Sequence, residues 1–158
     1  MRRSLLILAG LTLLATSCQP SPPAGAEPPD FTARDFQHLL QTLGDGWNGG
    51  DARKAADCFT EDAVYTQPPD SQVYQGRDAL FTFFGGEDGR PGAMQMTWHH
   101  IAFNENSGIG MGEFTFTYGT SAHGVAVVKI EDGLIARWRE YWVGSELSWE
   151  AFVGINPF

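Results

Sequence analysis

Residues 123–143 read His-Gly-Val-Ala-Val-Val-Lys-Ile-Glu-Asp-Gly-Leu-Ile-Ala-Arg-Trp-Arg-Glu-Tyr-Trp-Val. Two β-branched and aromatic runs flank Glu131-Asp132-Gly133. Asp-Gly between such runs is a hairpin signal, because Gly accepts the positive φ of the turn. Side chains alternate faces along a strand. The second strand therefore places Trp138, Glu140 and Trp142 on one face, and Arg137, Arg139 and Tyr141 on the other. A carboxylate between two tryptophans is either the floor of a pocket or part of an ion-paired surface. In the second reading its partner is Arg137, Arg139 or Arg77.

Working backwards, Ile109 to Tyr118 alternates Glu113, Thr115 and Thr117 with Phe114, Phe116 and Tyr118, as a half-buried strand does. Met94 to Phe103 is a further strand, turning at Asn104 to Gly108. Gly108-Ile109-Gly110-Met111-Gly112 has no helix after it, so it is not a phosphate loop and reads as a turn or bulge. Upstream the period changes. Phe36, Leu39, Leu40, Leu43 and Trp47 form one helical stripe, capped by Asp30 or Thr32 and stopped by Gly49-Gly50. Asp51 caps a short second helix with Ala55, Ala56, Cys58 and Phe59 as its buried side, ending at Glu61-Asp62 before a strand at Ala63 to Thr66. Gly76-Arg77-Asp78 opens a third helix with Leu80, Phe81, Phe83 and Phe84 as its apolar face. Gly85-Gly86 ends it, and a polar, Gly-rich loop follows to Gly92. Helices followed by antiparallel strands predict an α+β domain. The tail from Ser145 to Phe158 is too apolar to stay in water and is expected over the domain, over a pocket mouth or on a second subunit.

The chain has 158 residues, enough for one domain with a core, and a net charge of −9. Such acidity argues against nucleic acid as a partner. Residues 1–17 read as a signal peptide: Arg2-Arg3, then an apolar run from Leu5 to Ala15 that is short of the roughly 20 residues a membrane span needs. Its removal leaves 8 basic against 19 acidic residues. Ala15-Thr16-Ser17-Cys18 resembles a bacterial lipobox, with Ala15 where Leu is more usual. That resemblance implies lipidation of Cys18 and a place in the cell envelope. Gln19 after the Cys favours the outer membrane. The alternative is an ordinary cleavage site and a secreted or periplasmic protein. Residues 18–30, with Pro20, Pro22, Pro23, Pro28 and Pro29, then form an extended tether ahead of a domain over 31–158. Acylation of Cys18 would leave Cys58 alone, an inert core thiol with no intrachain disulfide.

Trp47-Asn48-Gly49-Gly50-Asp51, Cys58-Phe59-Thr60-Glu61-Asp62-Ala63-Val64-Tyr65, Tyr74-Gln75-Gly76-Arg77-Asp78-Ala79-Leu80 and the hairpin from Val125 to Trp142 resemble SnoaL-like members of the nuclear transport factor 2-like superfamily. The resemblance implies a cone-shaped, curved antiparallel sheet with about three N-terminal helices on its concave face, one apolar pocket, and a homodimer through the outer face of the sheet. It also allows the family's enzymes to be tested. The limonene epoxide hydrolase pattern puts one catalytic acid at Glu140, but its Arg-x-Asp falls on Phe114 and Phe116. The ketosteroid isomerase pattern puts its base on Gln67, its tyrosine near Leu43 and its aspartic acid near Ala126. The phenyl groups cannot activate a water, and an amide, an isobutyl and a methyl group cannot do the required proton chemistry.

The remaining candidates are Phe114, Phe116, Tyr118, Trp138 and Trp142 as a ligand-binding wall, with Glu140, Tyr65 and His100 as acid/base groups. A buried Glu140 would be pushed up towards neutral pH. His99 and His100, being adjacent, are expected on opposite faces, one of them beside Glu140. No metal-ligand spacing is present, and neither metal nor cofactor is expected. Three functions follow. The first is a tethered extracytoplasmic domain binding a small apolar or aromatic molecule. The second is a lyase, isomerase or hydrolase using Glu140. The third is a protein-interaction or dimerisation module.

Overall fold

A computed structural model describes residues 31–69 and 72–156. The expected signal peptide (1–17), Cys18, the rest of the expected tether and Phe158 lie outside the described residues. Helix α1 spans Ala33–Gly49 and α2 Ala52–Ala56. Strand β1 (Phe59–Gln67) and β2 (Gln72–Gln75) lead to α3 (Arg77–Phe84). Then come β3 (Gln95–Asn104), β4 (Ile109–Tyr118), β5 (Thr120–Glu131), β6 (Leu134–Gly144) and α4 (Trp149–Val153). The strands form one curved, open sheet in the order β2-β1-β6-β5-β4-β3. From β3 to β6 the neighbours are antiparallel, as expected, whereas β1 runs parallel to β6.

The hairpin at the centre of the reading joins β5 and β6. Asp132 (φ 50°) and Gly133 (φ 76°) both take positive φ, the geometry of a tight two-residue turn. Helix α1 starts at Thr32, whose side chain accepts from the Asp35 N–H while the Asp35 carboxylate accepts from the Thr32 N–H. That reciprocal cap satisfies two otherwise orphaned donors. Its buried stripe is Phe36, Leu40, Leu43 and Trp47.

Glycine decides how closely α1 approaches the sheet. A Cβ on Gly110 would sit 2.4 Å from the Phe36 ring, and one on Gly112 would sit 2.7 Å from the Trp98 ring. The Gly108 to Gly112 segment is therefore not simply a turn or bulge: Gly108 turns (φ 62°), while Gly110 and Gly112 belong to β4 and leave room for Phe36 of α1 and Trp98 of β3. At the far end of α1, the Asn48 amide accepts from the Met96 N–H and donates to the Met96 C=O at 3.1 Å. This occupies backbone groups of β3, an edge strand that would otherwise present them unpaired.

The second helix is shorter than its sequence suggests. It stops at Ala56, Cys58 sits in the following turn, and Phe59 opens β1. Glu61 and Asp62 lie inside that strand, exposed, where the β1–β6 register shifts between Phe59 and Val64. Strand β2 has no apolar alternation and was not expected; it pairs with the end of β1. The tail folds back on the outer face of the sheet as α4, with Trp149 stacked on His99 at 3.9 Å and Phe152 on His123 at 4.3 Å.

Candidate functional site

The inner faces of β4, β5 and β6 make the hollow. On β4, Phe114, Phe116 and Tyr118 point inward, and on β6 Trp138, Glu140 and Trp142 do. Between them β5 presents Ala122, Gly124 and Ala126, paired respectively with Gly144, Trp142 and Glu140. Of these three, Ala122 lines the cavity, and the Phe114 ring closes over Gly124. A Cβ on Gly124 would meet the Phe114 ring at 2.8 Å and the Tyr141 carbonyl at 2.5 Å.

The cavity has a volume of about 260 Å³, at the small end for ligand pockets. Helices roof it. Trp47 from α1 and Phe83 and Phe84 from α3 face the sheet, with Met94 and Met96 closing one side. In the sequence each of these five reads equally well as ordinary core. Gln72, Arg90, Thr120 and Ser121 add polar groups to the lining.

Glu140 is 8 % exposed and lines the cavity. Its carboxylate accepts the Trp138 indole N–H at 3.0 Å. Burial pushes its pKa up, and hydrogen bonding from Tyr65, Trp138 and Trp142 pulls the other way without overcoming it. Among the described residues it forms no ion pair with an arginine. Arg137 lies on the opposite face against Asp62, and the Arg77 guanidinium donates to the Phe59 carbonyl at 2.8 Å. Tyr65 pairs across the β1–β6 ladder with Trp138, their rings stacked 5.6 Å apart. Burial, with the Glu140 charge and hydrogen bond, raises the phenol's pKa well above the ordinary range. Tyr65 is therefore a proton donor in a hydrogen bond, not a base.

Of the expected wall, Phe114, Phe116, Tyr118 and Trp142 line the cavity together with Glu140 and Tyr65. Trp138 does not. It is 1 % exposed, enclosed by Trp47, Phe59, Tyr65 and Trp98, and it acts on the cavity by holding Glu140. The difference follows from position: its neighbour on β1 is a large ring, whereas Trp142 is 45 % exposed near the end of β6.

His100 is not beside Glu140 either. A register shift between Trp98 and Ile101 puts both His99 and His100 on the outer face, contrary to strict alternation. His100 Nδ1 lies 2.8 Å from the Glu113 carboxylate. His99 Nε2 lies 2.7 Å from Thr115 Oγ1, which lies 2.9 Å from His123 Nδ1. His123 Nε2 donates to the Leu147 carbonyl at 3.0 Å. These histidines bind the tail to the sheet. Among the described residues no cluster of His, Cys, Asp and Glu could hold a metal ion. Cys58 is buried, and burial raises its thiol pKa to about 11, so it is not a nucleophile.

The model of the SnoaL-like domain matches residues 40–138. Among solved structures, an NTF-2-like protein of unknown function from Burkholderia xenovorans superposes with a TM-score of 0.60 at 17 % identity, over 75 % of this chain and 92 % of its own. A protein of unknown function with a cystatin-like fold from Methylobium petroleophilum gives 0.61 at 16 % identity, covering 75 % and 82 %. An LEH-like epoxide hydrolase from M. tuberculosis gives 0.60 at 17 % identity, covering 70 % and 84 %. No curated protein is similar enough to the chain to count as a match. At these identities the structural likeness is one of fold.

Proposed function

The chain belongs to the SnoaL-like domain family, and from that membership and the geometry above we propose that it binds a small apolar or aromatic molecule in its central cavity. The observation that carries this reading is the hollow itself. Phe114, Phe116 and Tyr118 on β4 and Trp142 on β6 line it, with Ala122 of β5 between them, and the buried Glu140 carboxylate faces into it. Burying aromatic surface against such walls drives binding, and the few polar groups fix orientation. The test is a thermal-shift screen of small aromatic and alicyclic compounds on the protein and on Phe116→Trp, which fills the cavity. Hits that raise Tm for the first and not for the second support the reading; no hits, or equal shifts in both, refute it.

One observation favours a second reading. Glu140 faces the cavity with a raised pKa and a phenol hydrogen-bonded to it, the equipment of a general acid/base. SnoaL-like and nuclear transport factor 2-like proteins include isomerases and epoxide hydrolases. In this chain, however, Phe114 and Phe116 offer nothing to activate water, so a reaction would rest on Glu140 moving a proton within the bound ligand. Turnover of any hit by the wild type and its loss in Glu140→Gln would establish that reading. Binding retained in Glu140→Gln with no turnover in either protein would leave binding alone.

The leader and Cys18 support an extracytoplasmic domain hung from a lipid by residues 18–30, at the outer membrane. Incorporation of a labelled fatty acid that Cys18→Ser abolishes is the expected result. Family membership also supports a homodimer, which light scattering reads as twice the monomer mass.

A further inference from the structure

The register of the sheet orders the cavity from end to end. Glu140 pairs with Ala126, which pairs with Gly112 on β4; Trp142 falls in the row of Gly124 and Phe114; Gly144 falls in the row of Ala122 and Phe116. Tyr118 and Thr120 form the last row, six residues along β4 from the row of Glu140. At that far end lies Arg90. Its guanidinium stands over the Phe83 ring at 4.6 Å and beside the Tyr118 ring at 5.6 Å. Two of its N–H groups, on Nε and Nη2, donate to the Phe83 carbonyl, with Nε at 2.8 Å. The Tyr118 hydroxyl donates to the neighbouring Pro91 carbonyl at 2.8 Å, tying the loop to the sheet.

Three features make Arg90 more than a surface cation. It lines the cavity and is half-buried. Its direction is fixed by one carbonyl and two rings, so little rotamer freedom is left to lose when something binds. And among the described residues it has no carboxylate partner, although the chain carries 19 acidic residues. With two N–H groups spent on a carbonyl, the remaining ones form a fork suited to a planar anion. Glu140, at the other end, accepts hydrogen bonds when ionised.

Resting on the pocket reading proposed above, we infer that the ligand is an aromatic or alicyclic carboxylic acid, its carboxylate on Arg90 and its ring body against Phe114, Phe116 and Trp142. The separation of Arg90 from Glu140 along the rows of the sheet keeps the ligand carboxylate away from Glu140. A hydrogen-bond donor on the distal end of the ring would reach Glu140 and complete the match. A neutral ligand of the same shape leaves the guanidinium desolvated without an anion, which is why an acid is favoured over its amide.

Matched pairs test this: 3-phenylpropanoate, 2-naphthoate and cyclohexylacetate, each against its primary amide, titrated calorimetrically into the protein, Arg90→Gln and Arg90→Lys. The acids are expected to bind roughly tenfold to a hundredfold tighter than their amides, the scale of a charge-assisted hydrogen bond. That gap closes in Arg90→Gln, reopens in part in Arg90→Lys, and shrinks with added salt. Amides that bind as tightly as acids would overturn the acid assignment and leave the pocket reading standing. A gap that persists unchanged in Arg90→Gln would overturn the role of Arg90. Failure of every pair to bind would remove both the inference and the pocket reading beneath it.

Discussion

The bond between the Trp138 indole and Glu140 can be measured apart from the packing around it. Trp138→Phe removes an N–H donor 3.0 Å from a buried carboxylate and also leaves a gap among Trp47, Phe59, Tyr65 and Trp98. The gap destabilises the protein whatever occupies position 140, so a double-mutant cycle with Glu140→Gln cancels it. What remains is the difference between a hydrogen bond to a charged acceptor and one to a neutral amide. The first is worth roughly 1.5–3 kcal/mol and the second about 1 kcal/mol, so a coupling of about 1–2 kcal/mol is expected. Urea denaturation of the four proteins, fitted with a common slope, gives the number. The coupling should be larger in alkaline than in acid solution, because protonation of Glu140 neutralises the acceptor. Arg137→Gln paired with Glu140→Gln is the control and should show no coupling, since Arg137 lies on the other face with Asp62. A Trp138–Glu140 coupling within about 0.3 kcal/mol of zero, or an equal coupling with Arg137, would refute the placement of this carboxylate.

Glu140 also sets a pH dependence. Its folded pKa is raised from 4.5 by burial, so its neutral form stabilises the fold fully below 4.5 and that contribution is lost as pH rises through the raised value. The Tm of Glu140→Gln should therefore gain on that of the wild type as pH rises from 4.5, and a constant difference would contradict the burial argument. His99 works in the opposite sense. Burial first, then His100 and His123, lowers its pKa from 6.5, with Glu113 and Glu150 opposing, so its contribution is present above 6.5 and lost as pH falls below it. The hydrogen-exchange protection factors of α4, corrected for the intrinsic pH dependence of exchange, should fall on acidification through that range in the wild type and less in His99→Gln. Gly110→Ala, which drives a methyl into the Phe36 ring, should lose about 1–3 kcal/mol by denaturation, whereas Gly49→Ala, with open space around its Cβ, should be neutral or stabilising.

The sequence showed the sheet more clearly than the cavity. Strand β4, the hairpin turn and the α1 stripe were legible because each repeats a strong period over many residues, and one face of each must be buried. Strand β2 was not, because four mostly polar residues on a sheet edge carry no period. The faces of His99 and His100 were misread for a local reason. A bulge is a register event between two strands, and the sequence of one strand does not contain it. Trp138 and Trp142 look alike on β6, and their surroundings separate them: Tyr65 on β1 covers the first, while the second pairs with Gly124 near the end of β6 and lines the cavity. Arg90 was hidden in a loop that reads as solvated, since nothing in its neighbours foretells the stack on Phe83.

Five tryptophans occupy five distinct places, which makes them reporters of where a ligand goes. Trp47 and Trp142 line the cavity, Trp138 holds Glu140, Trp98 donates to the Leu40 carbonyl under α1, and Trp149 lies on the outer face. Titration of ¹⁵N-labelled protein with a small aromatic ligand, followed through the indole N–H signals, is the most direct measurement. Saturable shifts of Trp142, Trp47 and Trp138 with Trp149 unmoved are predicted. Shifts confined to Trp149, or none at any concentration, would contradict an aromatic cup that takes up a small molecule.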